Sequence, residues 1–491
     1  MSRALALGAL ALGGCSGALP PLPEIVVVAD TDLPVPLAAT RLRVDLYTAE
    51  GAWFATTDVA RPDPRDWPVS FSVYSDDPTC ARRVWVRLRA YADGRSRDYR
   101  GESPFTLGGP IDEGAPASDA PRLVQGGRDL TPPSEPDPLD AVDRLLLLEL
   151  EPDTKAKAEV VLRGACLGTS ALLGDDPGRP ALGQARTCVD TEKTRAPVTL
   201  TAAPPDDGAR GPSVQGSWLA QRCPPDDAGD RVCVPGGATI LGSSDTLSSG
   251  LVSALPIHVL GVSRFYLDRR EVSVGSFRAA LAGGLKPSVL PLANDGPLGA
   301  EIATQCPWST TPMGREGYAL ACLGWPTARA YCQSLGGDLP TETQWEHAAM
   351  VAGRTSKVHY PSGNAPPSCD EAVYGGEATT TGLPACPDKG PLPRPISAGA
   401  GDLTPSGVNE LAGGVSEWTL DEAKPYADAC WGDAPIVDPR CGDPDKPEKA
   451  HIVRGGYYAA PMTFATMRYV LDLGFQSPFV GLRCAYLGAA P

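Results

Sequence analysis

The chain has 491 residues, of which 42% are hydrophobic and 21% charged, with 54 glycines and 52 prolines. That length exceeds one ordinary core and predicts two domains, and the glycine and proline content favours short strands and long loops over a helix bundle. A formal charge of −16, from 59 acidic and 43 basic residues with no lysine or arginine cluster, repels phosphate backbones and argues against nucleic acid as a partner.

The N-terminus reads MSRALALGALALGGCSG, with a positive charge at Arg3, a short apolar run and then Leu12-Gly13-Gly14-Cys15. The run is too short to span a bilayer and has the layout of a secretory signal. Small residues just before a cysteine resemble a bacterial lipoprotein box. Residues 1–14 are therefore expected to be a signal peptide, Cys15 the lipidated residue and 15–23 a tether. Acyl chains on Cys15 would anchor the protein stably at the bacterial cell envelope, periplasmic or surface-facing, with the outer membrane the expected site.

Fourteen cysteines are present. Setting Cys15 aside, most fall in locally spaced couples: Cys166/Cys188, Cys223/Cys233, Cys306/Cys322, Cys369/Cys386 and Cys430/Cys441. Such usage reads as disulfides in an oxidising compartment, although spacing alone does not fix connectivity. Cys80 is the expected odd one. With no CxxC pair and only four histidines (His258, His347, His359, His451), no zinc site is expected.

From residue 24 to 200 the pattern predicts an all-β sandwich-like domain. Arg41–Tyr47 and Val84–Tyr91 alternate with period two, and Leu145–Leu150 and Ala158–Leu162 are compatible with strands. A Pro/Asp/Gly-rich excursion interrupts it from Gly108 to Pro138. Residues 201–232 read as an interdomain linker, and a second domain is expected over 233–489.

In that second domain, Pro326 suits a first helical position, and Ala328, Tyr331, Cys332 and Leu335 follow at helical spacing until Gly336 stops the run. Thr341 and Gln344 have capping-box spacing and open a helix whose inward stripe is Trp345, Ala348 and Ala349. A further helix is predicted after Ser273, with Phe277 and Leu281 one turn apart and Gly283 beyond. Loops held by disulfides and ions make up the rest.

Four phrases recur here in fixed order: FYLDRREVSVGSF (Phe265 to Phe277), CLGWPTARAYCQSLGGDLPTETQWEHAA (Cys322 to Ala349), GVNELAGGVSEW (Gly407 to Trp418), and HIVRGGYY with VGLRCA (His451 to Ala485). Together they resemble the formylglycine-generating enzyme, or sulfatase-modifying factor, family. The resemblance implies an α+β domain of the formylglycine-generating-enzyme (C-type-lectin-like) fold, loop-rich and disulfide-linked. It also implies a disulfide between Cys332 and Cys484, which by the chain-entropy model contributes about 5 kcal/mol.

Catalytic members convert a cysteine of a sulfatase peptide to formylglycine with oxygen and a copper ion held by two cysteines. Those thiolates stand at the fourth and ninth positions beyond the second glycine of the RGG phrase, which here are Ala460 and Ala465. Soft sulfur selects Cu(I), and alanine cannot ligate it. Met462, Met467 and His451 offer no equivalent set, so copper is not expected.

Catalytic members also bind calcium before the WEW phrase, through a side-chain oxygen, two main-chain carbonyls and a glutamate. The aligned positions are Glu410, the carbonyls of Gly413 and Val415, and Glu417, a set of hard oxygen ligands. Gly414 and Ser416 replace the family's Asn and Trp and are expected to loosen the loop. The alternative for Glu410 and Glu417 is a pair of solvated surface carboxylates.

Trp345, Trp418, Arg454 and Arg483 are expected in core packing and loop fixing. Asp338 replaces a family Arg, so one ion pair is expected to be lost or rebuilt. Glu346 and His347 are adjacent on a helix and point apart, which argues against an acid/base pair. The reading is an exported, lipid-anchored binding or scaffold protein whose partner is an envelope protein, peptide or glycan. The alternative is an oxidoreductase of the same family that modifies a protein side chain through an atypical metal site.

Overall fold

The computed structural model describes residues 22–487 except 99–121, 172–184, 190–194, 198–212, 226–228, 245–253, 296–304, 377–384, 390–392, 397, 432–436 and 463. The leader, Cys15 and most of the tether lie outside the described residues, as does the first part of the excursion after Gly108.

Seven main strands build the N-terminal domain: β1 (Glu24–Thr31), β2 (Arg41–Thr48), β3 (Trp53–Ala60), β4 (Val69–Tyr74), β5 (Arg82–Tyr91), β6 (Ala141–Leu150) and β7 (Lys155–Leu162). They form two sheets, ordered β7-β1-β4 and β6-β5-β2-β3. Period-two alternation decides what faces inward. Val86 and Leu88 of β5, with Leu42 and Leu146, pack on Ile25, Val27, Val73 and Ala158 of the other sheet. This is a β-sandwich. The other side of β5 carries Trp85, which packs with Tyr47, Trp53, Leu145 and Leu147. Arg87 and Arg89 on that side are matched by Asp143 at 2.6 Å and Asp45 at 2.7 Å, the condition for tolerating buried charge.

The stretch that composition reads as linker is partly structured. The Val214 N–H donates to Asp30 Oδ2 at 2.9 Å and the Trp218 N–H to the Asp32 carbonyl at 2.9 Å. The Trp218 ring covers Gly164 so closely that a side chain there would collide with it. Gln221 and Gly236 then exchange backbone hydrogen bonds. Proline and glycine remove regular repeats, but one buried tryptophan suffices to seat residues 213–221 on the first domain.

The C-terminal domain holds β8 (Arg231–Val234), β9 (Gly237–Leu241), β10 (His258–Val262), β11 (Phe265–Asp268), β12 (Ser416–Glu422), β13 (Ala450–Arg454), β14 (Arg468–Asp472), β15 (Val480–Gly481) and β16 (Ala485–Tyr486). These make sheets β8-β11-β16 and β14-β13-β12-β15 and a β9-β10 hairpin. Among the described residues three helices pack on them: α1 (Val274–Ala282), α2 (Trp325–Ser334) and α3 (Glu342–Met350). It is an α+β domain with long loops.

Local chemistry places each helix. Ser273 caps α1 by accepting the Ser276 N–H at 3.0 Å. Pro326 lies in the first turn of α2, and Gly336 just beyond its end takes a φ of +77°, which glycine adopts without strain. Thr341 and Gln344 complete a reciprocal capping box on α3, at 3.1 and 2.9 Å. The inner stripe of α3, Trp345, Ala348 and Ala349, packs on Phe265, Leu267 and Val408.

Six disulfides close among the described residues: Cys166–Cys188, Cys223–Cys233, Cys306–Cys322, Cys332–Cys484, Cys369–Cys386 and Cys430–Cys441. Cys332–Cys484 spans 152 residues and joins α2 to the C-terminal strands. Cys80 is free and exposed.

Candidate functional site

The loop before β12 and the turn between β11 and α1 fold over each other. Gly414 has a φ of +71°, and Glu271 from the EVS phrase occupies the space where a side chain on residue 414 would stand. Glu271 Oε1 accepts the Val415 N–H at 2.7 Å. On the other side, Ser416 Oγ donates to the Gly455 carbonyl at 2.9 Å and ties the loop to the RGG phrase. The glycine admits the Glu271 carboxyl and the serine supplies a hydrogen bond, so the loop has a contact on each side where looseness was expected.

Glu410 and Glu417 are 2% and 0% exposed, so they are not a solvated surface pair. Glu410 has a left-handed φ of +57°, uncommon for this residue type and a form of stored strain. Its Oε1 accepts the Gly399 N–H at 2.7 Å, whereas Oε2 is buried with no hydrogen-bond partner among the described residues. Beside it, Asp402 Oδ2 accepts the Ala412 N–H at 2.7 Å. Glu417 is fully engaged: Arg483 Nε lies 2.7 and 2.8 Å from its two oxygens, and Trp345 Nε1 donates to Oε2 at 2.7 Å.

Four buried carboxyls thus share one buried guanidinium. Burial pushes Glu410 up to about 8 and Asp402 up to about 7. Glu271 is raised too, by burial first and then by Glu410 and Glu417. Protons or a cation must balance such a cluster. The orphaned Glu410 oxygen and the surplus of hard acidic groups fit calcium. No three acid, histidine or thiol side chains among the described residues converge closely enough to hold a metal by themselves, so a cation here needs the Gly413 and Val415 carbonyls as well. The family pattern pointed to Glu410 and Glu417. It did not point to Asp402, which lies in no motif, and Glu271 was visible only as part of the EVS phrase.

The other large side chains of the family phrases belong to a sealed framework. Trp345, Trp418, Arg454 and Arg483 are each 0% exposed. Arg454 bonds Glu342 at 2.9 Å and also reaches Glu346, while Arg468 Nε donates to Glu342 at 2.6 Å. Burial opposes ionisation of Glu346, but Lys357 and Arg454 outweigh it and hold its carboxyl below the usual range. His347 points elsewhere, with Nε2 2.9 Å from the Pro235 carbonyl, and burial pushes it down to about 4. Asp338 rebuilds its ion pair with Arg329 at 3.0 Å.

Ala460 and Ala465, the positions expected to correspond to the copper thiolates, lie on the loop after β13. The Ala460 carbonyl accepts the Gly375 N–H at 2.6 Å, and the Ala465 N–H donates to the His359 carbonyl at 3.0 Å, so both act through their backbone. Met462 is buried with Tyr360, Tyr374 and Cys386. His451 is stacked on Trp325 at 4.1 Å in a different part of the core. Every described cysteine of this domain is in a disulfide and inert as a ligand. These residues do not fit a copper ion.

A family model described as a sulfatase-modifying factor enzyme 1-like domain matches residues 219–487. The chain is 27% identical over 337 residues to a hercynine oxygenase of Mycolicibacterium smegmatis, which spans 64% of this chain and 72% of that enzyme. It is 23% identical over 336 residues to a formylglycine-generating enzyme of Streptomyces coelicolor, across 59% of this chain and 95% of that one. Among solved structures, PvdO from Pseudomonas aeruginosa aligns over 52% of this chain and 94% of its own at 18% identity, with a TM-score of 0.36.

Proposed function

Because this chain belongs to the sulfatase-modifying factor enzyme 1-like family through residues 219–487, we propose that it uses the family framework as a binding or scaffolding body without formylglycine chemistry. The observation that carries this reading is the pair Ala460 and Ala465, which offers methyl groups where Cu(I) requires thiolates. A framework of buried ion pairs and disulfides tolerates the loss, since recognition resides in loops displayed on it.

In this reading Cys15 carries lipid and holds the protein at the bacterial cell envelope, where the partner is an envelope protein, a peptide or a glycan. Calcium would be held by Glu410, Glu417 and the carbonyls of Gly413 and Val415, with Glu271 and Asp402 alongside. A bound divalent cation would supply the positive charge that the carboxyl cluster lacks. Glu271 and Ser416 fix the loop's backbone, and Arg483 and Trp345 orient Glu417.

The test is anaerobic Cu(I) titration followed by oxygen-uptake assay with a cysteine-containing peptide. Absence of both stoichiometric binding and turnover is expected. High-affinity copper binding with turnover would replace this reading with the alternative, an oxidoreductase acting on a protein side chain through an atypical metal site. For the envelope assignment, Cys15→Ala is expected to release the protein from membranes, and retention through washing would refute lipidation.

A further inference from the structure

A cavity of about 350 Å³ opens where the segment after Trp218 meets the C-terminal domain. Its lining includes Arg222, the apolar Val232, Pro235 and Pro405, and both members of the Cys223–Cys233 bridge, with no acidic side chain among the described residues. Cys223 is half-buried and Cys233 is 4% exposed, so the bridge meets solvent through Cys223. Three other bridges are sealed, since no member of Cys166–Cys188, Cys306–Cys322 or Cys332–Cys484 is more than 1% exposed. Cys369 and Cys430 are half-buried too, but each has acid beside it. Asp370 and Glu371 follow Cys369 in the chain, and Asp428 Oδ1 accepts the Cys430 N–H at 3.0 Å.

Cys223 has a cation for a neighbour instead. Arg222 is exposed, and its guanidinium bonds no acceptor among the described residues. A second guanidinium is close by, with Arg264 Nη1 donating to the Arg222 carbonyl at 2.8 Å. Thiolate is the attacking species in disulfide exchange, and arginine beside a sulfur stabilises it.

We infer that Cys223–Cys233 is an exchangeable disulfide whose cavity takes a small thiol bearing a carboxylate. Arg222 pairs with the carboxylate. The thiolate attacks Cys223 Sγ and forms a new sulfur–sulfur bond there. The Cys223–Cys233 bond breaks, and its electron pair leaves on Cys233, which takes a proton from solvent. The incoming sulfur is oxidised and Cys233 is reduced, leaving a mixed disulfide on Cys223. Burial of Cys233 directs the attack to Cys223. The surroundings make the step reversible. Gln221 and Gly236 exchange backbone hydrogen bonds at 3.2 and 3.0 Å, and the Arg264 N–H donates to Gln221 Oε1 at 2.9 Å. These bonds hold the segment before Cys223 on the C-terminal domain when the bridge is open, so Cys233 stays within reach to expel the adduct. The bridge spans 10 residues, the shortest disulfide loop among the described residues, and in the chain-entropy model a short loop loses least on opening.

Rates of adduct formation on the full chain test it, with Cys80→Ser as background so that the exposed free thiol does not compete. The probes are mercaptopropionate and mercaptoethanol, similar in size but differing in the carboxylate. Each rate is divided by that of the same thiol with bis(hydroxyethyl) disulfide, which removes intrinsic nucleophilicity. After acid quench, peptide mass spectrometry is expected to find the first adduct on Cys223. The normalised rate is expected to be about two- to fivefold higher for the carboxylate thiol, the range of an exposed ion pair. Arg222→Gln is expected to abolish that preference while the melting temperature is retained. No adduct on the folded chain, a first adduct on Cys233, Cys369 or Cys430, or an unchanged preference in Arg222→Gln would overturn the inference.

Discussion

Arg483 and Glu417 meet in the interior of the C-terminal domain, Nε to carboxylate at 2.7 and 2.8 Å, and neither side chain reaches solvent. They come from two phrases 66 residues apart, so the pair fastens the loop before β12 to the C-terminal strands. Truncating one partner of a buried pair strands the other charge and typically costs about 3–5 kcal/mol. Glu417→Ala is therefore expected to lower the melting temperature in chelator as well as in calcium, with the larger loss in calcium because the substitution also removes a proposed ligand. A loss confined to calcium-containing buffer would show that the pair is not formed.

Glu410 and Asp402 titrate at about 8 and about 7 in the folded protein, above the ordinary carboxylate values of the unfolded chain. The fold then holds more protons than the unfolded state between about pH 4 and pH 8. Stability from these groups is complete below the unfolded values and is lost as pH rises through the folded ones. In chelator, the melting temperature is expected to fall over that window. Calcium is expected to flatten the fall and to release protons on binding near pH 7. Asp421, at about 7 for its own burial, contributes a slope that calcium leaves alone. Superimposable curves with and without calcium would dismiss the cation.

Gly414 combines a left-handed φ with the Glu271 carboxyl packed on its α-carbon. Gly414→Ala must both strain the backbone and displace a buried acid, for a loss of about 1–3 kcal/mol. A double-mutant cycle with Glu271→Ala is expected to recover part of it, since the steric share disappears when the carboxyl is gone. Strict additivity in denaturant melts would mean that the two residues do not touch.

The Cys332–Cys484 bond closes 152 residues, the longest disulfide loop among the described residues. The chain-entropy model gives it about 5 kcal/mol, more than any of the local bridges. Replacing both cysteines by alanine is expected to lower the denaturant midpoint more than removing Cys430–Cys441, which spans 11 residues. The reverse order would assign the stability of this domain to its local bridges.

Much of the framework is local and was therefore legible. Thr341 and Gln344 announce a capping box by spacing alone, Ser273 announces a helix start, and Val84–Tyr91 announces a strand by alternation, because each depends on neighbours within one turn or one pleat. The family phrases led to Glu410, Glu417 and the two alanines. Composition misled at residues 213–221, where Trp218 docks on a distant glycine.

By itself the sequence determined the presence of two domains, the helices of the second, its family and the absence of sulfur at residues 460 and 465. Only the tertiary structure decided the electrostatics of the candidate site. Glu271, Asp402, Glu410 and Glu417 come from separate stretches, and nothing in their spacing says that they are buried together with one arginine. Charge balance is a property of a volume, and the volume exists only after the loops have closed over it.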